Sequence, residues 1–186
     1  MESTYELVFL SDLYNRSRRK PHPDFVLALN CVFHRLEALG AASPDSQFNK
    51  LMRWVKRVLP RSLLIRFLIH MRYDAIIGFL EEDGKREIYG MISFQKHPAR
   101  FMVGMFDIYI LPERRHKDLA AHFSIMAELL YRLYQSFKRN NYQYIQCGDN
   151  ETTRKILRLY KRVMRKNNWE GEVDVDLRRI YLGPQN

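Results

Sequence analysis

Asp107 lies in the run Phe106-Asp107-Ile108-Tyr109-Ile110. A carboxyl group among such apolar neighbours loses hydration, its pKa rises, and it becomes a candidate general base. The competing reading is a strand-end aspartate held by backbone amides or by an ion pair. The histidines stand at 22, 34, 70, 97, 116 and 122, and none forms an i, i+4 pair with a carboxylate in support, so no metal site is expected. His116 and His122 flank a helix start and read as surface or capping residues. Cys31 and Cys147 fit neither a disulfide framework nor a zinc cluster. Cys147 follows a strand with no histidine near it in sequence, which favours a small buried hydrophobe over a nucleophile. Arg154, Lys155, Arg158, Lys161, Arg162, Arg165 and Lys166 crowd one helical segment, a pattern that attracts polyanions.

Around these residues the chain alternates between two periods. Tyr5 to Leu10 is a short β-like run, followed by a basic loop from Asn15 to Lys20 with Pro21 and Pro23. Phe25, Leu29, Val32, Phe33 and Leu36 recur at helical spacing after Asp24, and Gly40 is expected to end that helix. Phe48, Leu51, Met52, Val55 and Leu59 repeat the period up to Pro60, and Leu63 to Met71 forms a further helical piece. The pattern then turns to strands at Ala75–Leu80, Glu87–Phe94 and Phe101–Leu111, the first two joined by the hairpin turn Glu82-Asp83-Gly84-Lys85. A long helix from Asp118 to about Lys138 carries Leu119, Phe123, Met126, Leu130, Leu133 and Phe137 on one face. Strand Tyr142–Cys147, helix Glu151–Lys166 and strand Val173–Leu182 complete the order β-α-α-β-β-β-α-β-α-β. This is an α/β fold (an α+β mixed sheet) with one parallel strand-helix-strand crossover, and a helix N-terminus emerges from the end of the long strand. Such a junction favours an anionic ligand.

At that junction the chain reads Asp107-Ile108-Tyr109-Ile110-Leu111-Pro112-Glu113-Arg114-Arg115-His116-Lys117-Asp118-Leu119-Ala120. It resembles the acyl-CoA signature of the GNAT superfamily, the N-acetyltransferase fold, in which a strand end and Pro-Glu lead into Arg/Gln-x-x-Gly-x-Gly/Ala. Arg115 falls on the Arg/Gln position, Asp118 on the first glycine and Ala120 on the second. Ile88 to Ile92 is similar to that family's hairpin strands. Thr153-Arg154-Lys155-Ile156-Leu157-Arg158-Leu159-Tyr160 resembles its Asn-x-x-Ala-x-x-Leu-Tyr helix, and Asn168-Trp169 its closing Gly-Phe. The ordered match runs over about residues 72 to 182. The resemblance implies a single GNAT-like domain over 1–186, with 1–71 shaping the acceptor side and 72–182 supplying the sheet and donor loop. It implies acyl-CoA or acetyl-CoA as co-substrate at Ile110, Leu111, Arg115, His116, Lys117, Asp118, Leu119 and Ala120. It implies Asp107 as base and Tyr160 as the acid that protonates the leaving sulfur; otherwise Tyr160 is a core aromatic beside Ile156 and Val163. Asp118 departs from the pattern: a carboxylate there caps the helix amides and repels a pyrophosphate, offset in part by Arg114, Arg115 and Lys117.

Composition bounds the rest. The 186 residues are 46% apolar and 13% aromatic, enough to bury a full core, so disorder is excluded as the main state. The N-terminus lacks a basic stretch followed by an apolar run, so no signal peptide is expected, and the window Val58–Leu80 is broken by charges, so no membrane span is expected. A cytoplasmic protein is expected. The net charge of +10 suits an acidic acyl carrier protein, whose phosphopantetheine is an alternative donor, as well as phosphate-bearing ligands. The segment Lys50–Arg72 is basic and amphipathic, fit for peripheral membrane contact, for an acyl chain, or simply for covering the sheet. The expectation is therefore an acyltransferase acting on an amine such as an amino acid. The alternatives are a catalytically silent binding module of the same fold, or a nucleic-acid-directed acetyltransferase acting on charged tRNA.

Overall fold

The computed structural model describes residues 4–18, 20, 22–42, 60–110, 119–138, 142–148 and 151–182. The expected helix over 48–59 and the donor loop 111–118 lie outside them. By internal contact the chain divides into two compact units, one of residues 1–8 and 75–186, the other of residues 9–74.

The first unit is built on one sheet. Its strands are β1 (Thr4–Phe9), β2 (Tyr73–Glu82), β3 (Lys85–His97), β4 (Met102–Ile110), β5 (Tyr144–Gln146), β6 (Glu172–Asp174) and β7 (Arg179–Tyr181), in the order β1-β2-β3-β4-β5-β7-β6. The turn between β2 and β3 places Asp83 and Gly84 at φ +54° and +70°, the two consecutive left-handed residues that a tight hairpin requires. β2 and β3 extend beyond the expected 75–80 and 87–94. Residues 73–80 and 88–94 are buried throughout, so the middle of this hairpin has no solvent-facing side. Between β4 and β5, α4 (Leu119–Phe137) makes the crossover, and β5 runs parallel to β4. The helix lies on the sheet through Met126, Leu130, Leu133 and Phe137, all buried, and the Phe137 ring meets Phe94 edge-on at 5.5 Å. After β5 comes α5 (Glu151–Asn167), which buries Leu157, Tyr160 and Met164.

The single closing strand expected over 173–182 is a hairpin, β6 and β7. The Asp174 carboxylate accepts the backbone N–H groups of Asp176 and Leu177 at 2.9 and 2.8 Å, and Arg178 turns left-handed at φ +56°. An aspartate that captures the amides two and three residues ahead bends the chain before a strand can continue.

The second unit holds α1 (Leu10–Arg16), α2 (Pro23–Ala42) and α3 (Arg61–His70). The loop expected over 15–20 starts only after Arg16, because the chain is helical from Leu10. Leu10 and Leu13 are wholly buried, and the Asp74 carboxylate accepts both the Ser11 backbone N–H (3.1 Å) and the Ser11 hydroxyl (2.7 Å). A carboxylate at a helix N-terminus supplies the cap that the local sequence lacks, and it comes from 63 residues away. Gly40 does not end α2, which continues to Ala42. An interior glycine costs a helix only about 1 kcal/mol, and the two alanines after it favour continuation.

Candidate functional site

β4 is paired along both edges for only part of its length. On one side its register with β3 runs from His97↔Met102 to Gly90↔Ile110. On the other, β5 pairs only with Met102, Val103 and Gly104. Between these stretches the β3 register shifts: Ser93 faces Asp107 and Phe94 faces Met105, so Phe106 is the extra residue of a bulge. A bulge bends and over-twists its strand. This one sits just beyond Gly104, the last residue of β4 that pairs with β5 among the described residues. Asp107 occupies the first register position beyond the bulge and Ile110 the last position of the strand, opposite Gly90.

Tyr160 lies inward on α5, with 1% of its surface exposed, and its hydroxyl has no hydrogen-bond partner among the described residues. Burial raises its pKa far above the ordinary phenol value; Tyr134, Tyr131 and Cys147 raise it further. Cys147 is the first residue past the paired stretch of β5, so Tyr160 stands beside the end of that stretch. Burial also pushes the Cys147 thiol up to about 12, which leaves it protonated and unreactive at neutral pH. Burial, with a smaller contribution from Tyr131, raises Tyr134 as well.

Two residues of this cluster were not singled out from the sequence. Tyr131 and Tyr134 stack at 5.8 Å on α4, and Trp169 stacks on Tyr131 at 4.2 Å with an 8° interplanar angle. The signal was a Tyr-x-x-Tyr pair beside the apolar stripe of α4. Trp169 reaches Tyr131 because α5 ends in a turn: Asn168 is left-handed at φ +53°, and the Trp169 N–H returns to the Met164 carbonyl at 2.9 Å. Asparagine here does what glycine usually does at a helix C-terminus.

Of the expected donor-binding residues, Leu119 and Ala120 open α4, while Leu111, Arg115, His116, Lys117 and Asp118 lie outside the described residues. His97 is half-buried against Gly104, and burial followed by the Arg100 charge lowers its pKa. Among the described residues no group of three His, Cys, Asp or Glu could hold a metal ion, and no helix is long and apolar enough to cross a membrane.

No protein-family model matches the chain, and no curated protein matches it in sequence. Three solved structures are similar to it. Tetrahymena GCN5 is 11% identical, with 72% of this chain and 82% of that one covered and a TM-score of 0.40. Spermidine N-acetyltransferase from Vibrio cholerae, in complex with CoA and spermine, is 16% identical, with 86% and 78% covered and a TM-score of 0.45. Mutant forms of the spermidine/spermine N-acetyltransferase SpeG from Vibrio cholerae are 16% identical, with 86% and 77% covered and a TM-score of 0.36. In their own strand order and in the parallel crossover from β4 to β5, the described residues have the mixed α/β sheet that the GNAT resemblance implies.

Proposed function

We propose that this chain is a GNAT-type N-acyltransferase, moving an acyl group from a thioester to an amine. The observation that carries the reading is the Tyr160 hydroxyl, buried and without a partner among the described residues, close to Cys147 at the end of β5. An orphaned buried hydroxyl costs about 1–3 kcal/mol, so its retention calls for a partner that binds transiently. The sulfur of a thioester donor fits that description. The donor is acetyl-CoA or acyl-CoA, with the phosphopantetheine of a carrier protein as the variant.

The donor supplies an activated carbonyl. The protein handles the protons. Asp107 takes the proton lost by the amine as the C–N bond forms. Tyr160 gives its proton to the departing sulfur as the C–S bond breaks. Its raised pKa keeps the phenol protonated until it is needed. The same dry surroundings raise the proton affinity of a thiolate, as the Cys147 thiol at about 12 illustrates, so donor and acceptor of the proton shift together.

The test is thiol release from acetyl-CoA across a panel of amines, for wild type and Tyr160→Phe. Loss of a general acid lowers kcat by ~10²–10⁴-fold and leaves CoA affinity unchanged. Unaltered turnover in the folded variant removes Tyr160 from the mechanism. No thiol release with any amine or donor overturns the assignment as an enzyme.

A further inference from the structure

The outer side of α5 carries charge that the proton transfers assigned to Asp107 and Tyr160 do not use. Residues 154–166 hold seven lysines and arginines, and the helix has one carboxylate, Glu151. Leu157, Tyr160 and Met164 are buried, whereas Lys155, Arg158, Arg162, Arg165 and Lys166 are exposed. At 1.5 Å per residue the exposed five form a stripe about 17 Å long. Glu151 stands 3.9 Å from Arg154 and 3.9 Å from Arg158, at the far N-terminal end, and among the described residues no ion pair reaches Lys155, Arg162, Arg165 or Lys166. The stripe runs into a cleft of about 530 Å³ whose lining includes Lys161, Arg165, Asn168 and Trp169. Of the two carboxylates there, Glu170 pairs with Lys138, and Glu172 stands at the entry of β6.

We propose that this face binds single-stranded nucleic acid, with successive phosphates along the α5 stripe and a base in the cleft beside Trp169. A line of evenly spaced cations matches a polyanionic backbone, and an aromatic at its end matches an unstacked base. An acidic protein fits less well. Interfaces between proteins have an apolar or aromatic centre, and the large hydrophobic side chains exposed among the described residues are Val26, Leu27, Leu63, Met71, Phe101 and Leu177, none of them on α5. A membrane surface fits less well too, because the apolar side of α5 is already buried.

The proposal does not rest on acyl transfer, and Tyr160→Phe should bind nucleic acid like wild type, so the two readings fail separately. The experiment is fluorescence anisotropy of a fluorescein-labelled twelve-residue oligouridine. With five contacts, affinity should fall about 100-fold between roughly 50 and roughly 200 mM salt, a log–log slope of about −3.5. The triple variant Arg158→Gln, Arg162→Gln, Arg165→Gln should bind weakly, with the slope reduced to about −1.4. Trp169→Ala should lose about 5- to 100-fold with the slope unchanged, and Trp169→Phe, which preserves the stack on Tyr131, should keep most of the affinity. The proposal is overturned by absence of saturable binding at low salt or by a triple variant with wild-type slope. It is equally overturned if polyglutamate displaces the oligonucleotide mole for mole, or if phosphatidylserine vesicles bind the same face and oligouridine does not.

Discussion

Tyr160 sets stability against chemistry within one side chain. Its ring is core, packed on α5 beside Leu157 and Met164, while its hydroxyl is a buried polar group without a partner among the described residues. Tyr160→Phe should therefore raise stability by up to about 1 kcal/mol, or a Tm higher by about 2–4 °C for a chain of this size, in the same variant that loses turnover. A core tyrosine without a catalytic role would show the first effect and not the second, so calorimetry beside kinetics separates the readings. Cys147 gives an independent check on how dry this place is. With its thiol at about 12, the thiolate fraction at about pH 8 is on the order of 10⁻⁴, against roughly a quarter for an ordinary thiol. Half-buried Cys31 should thus react with an aromatic disulfide reagent much faster than Cys147. The Cys147 rate should keep climbing with pH past about 10. Equal rates for the two thiols would mean that solvent reaches the Tyr160 neighbourhood.

At the scale of elements, the site depends on the β2–β3–β4 frame holding its register while β4 bends. Gly78 shows how closely that frame is packed: a Cβ there would lie 2.6 Å from Cζ of Tyr89, inside any tolerable contact with a rigid ring. Gly78→Ala should cost about 1–3 kcal/mol, seen in urea unfolding as a lower midpoint with the slope unchanged. A neutral result would mean that β2 and β3 have slack, and the bulge at Phe106 would then have no firm partner strand to bend against. The period-2 and period-3.6 patterns show where most of these elements lie, because each turns one face inward. The bulge leaves no such mark. One extra residue in β4 is defined only by what stands opposite it, and Ser93 and Phe94 are separated from it by a turn and a 3₁₀ segment. For the same reason α1 does not show in its own sequence: its cap, Asp74, belongs to β2.

For the whole molecule, donor binding should be visible as stability. CoA at about 100 times its Kd adds about 2.7 kcal/mol, which for a chain of this length raises Tm by about 5–10 °C. Asp118→Gly should enlarge that shift, since it removes a negative charge and a side chain from the loop expected to meet the pyrophosphate. A smaller shift in Asp118→Gly than in wild type would show that Asp118 helps the loop hold its shape and does not repel the donor. No shift in either, with turnover from an acylated carrier protein, would assign the donor to that protein.

The sequence alone determined the alternation of helices and strands, the place of the crossover, the basic balance and the identity of Asp107 and Tyr160 as the groups worth testing. All of these are written in local spacing, in side-chain chemistry or in motif order. What only the tertiary structure decided is which groups share surroundings. The bulge at Phe106 lies just beyond Gly104, where the described pairing of β4 with β5 stops. Tyr160 reaches that place with its hydroxyl unmatched, beside tyrosines from α4 and a thiol from the end of β5. The physical reason is that desolvation and strand register are properties of a position in space. Burial of a phenol depends on every element that closes over it, and no window of sequence contains them all.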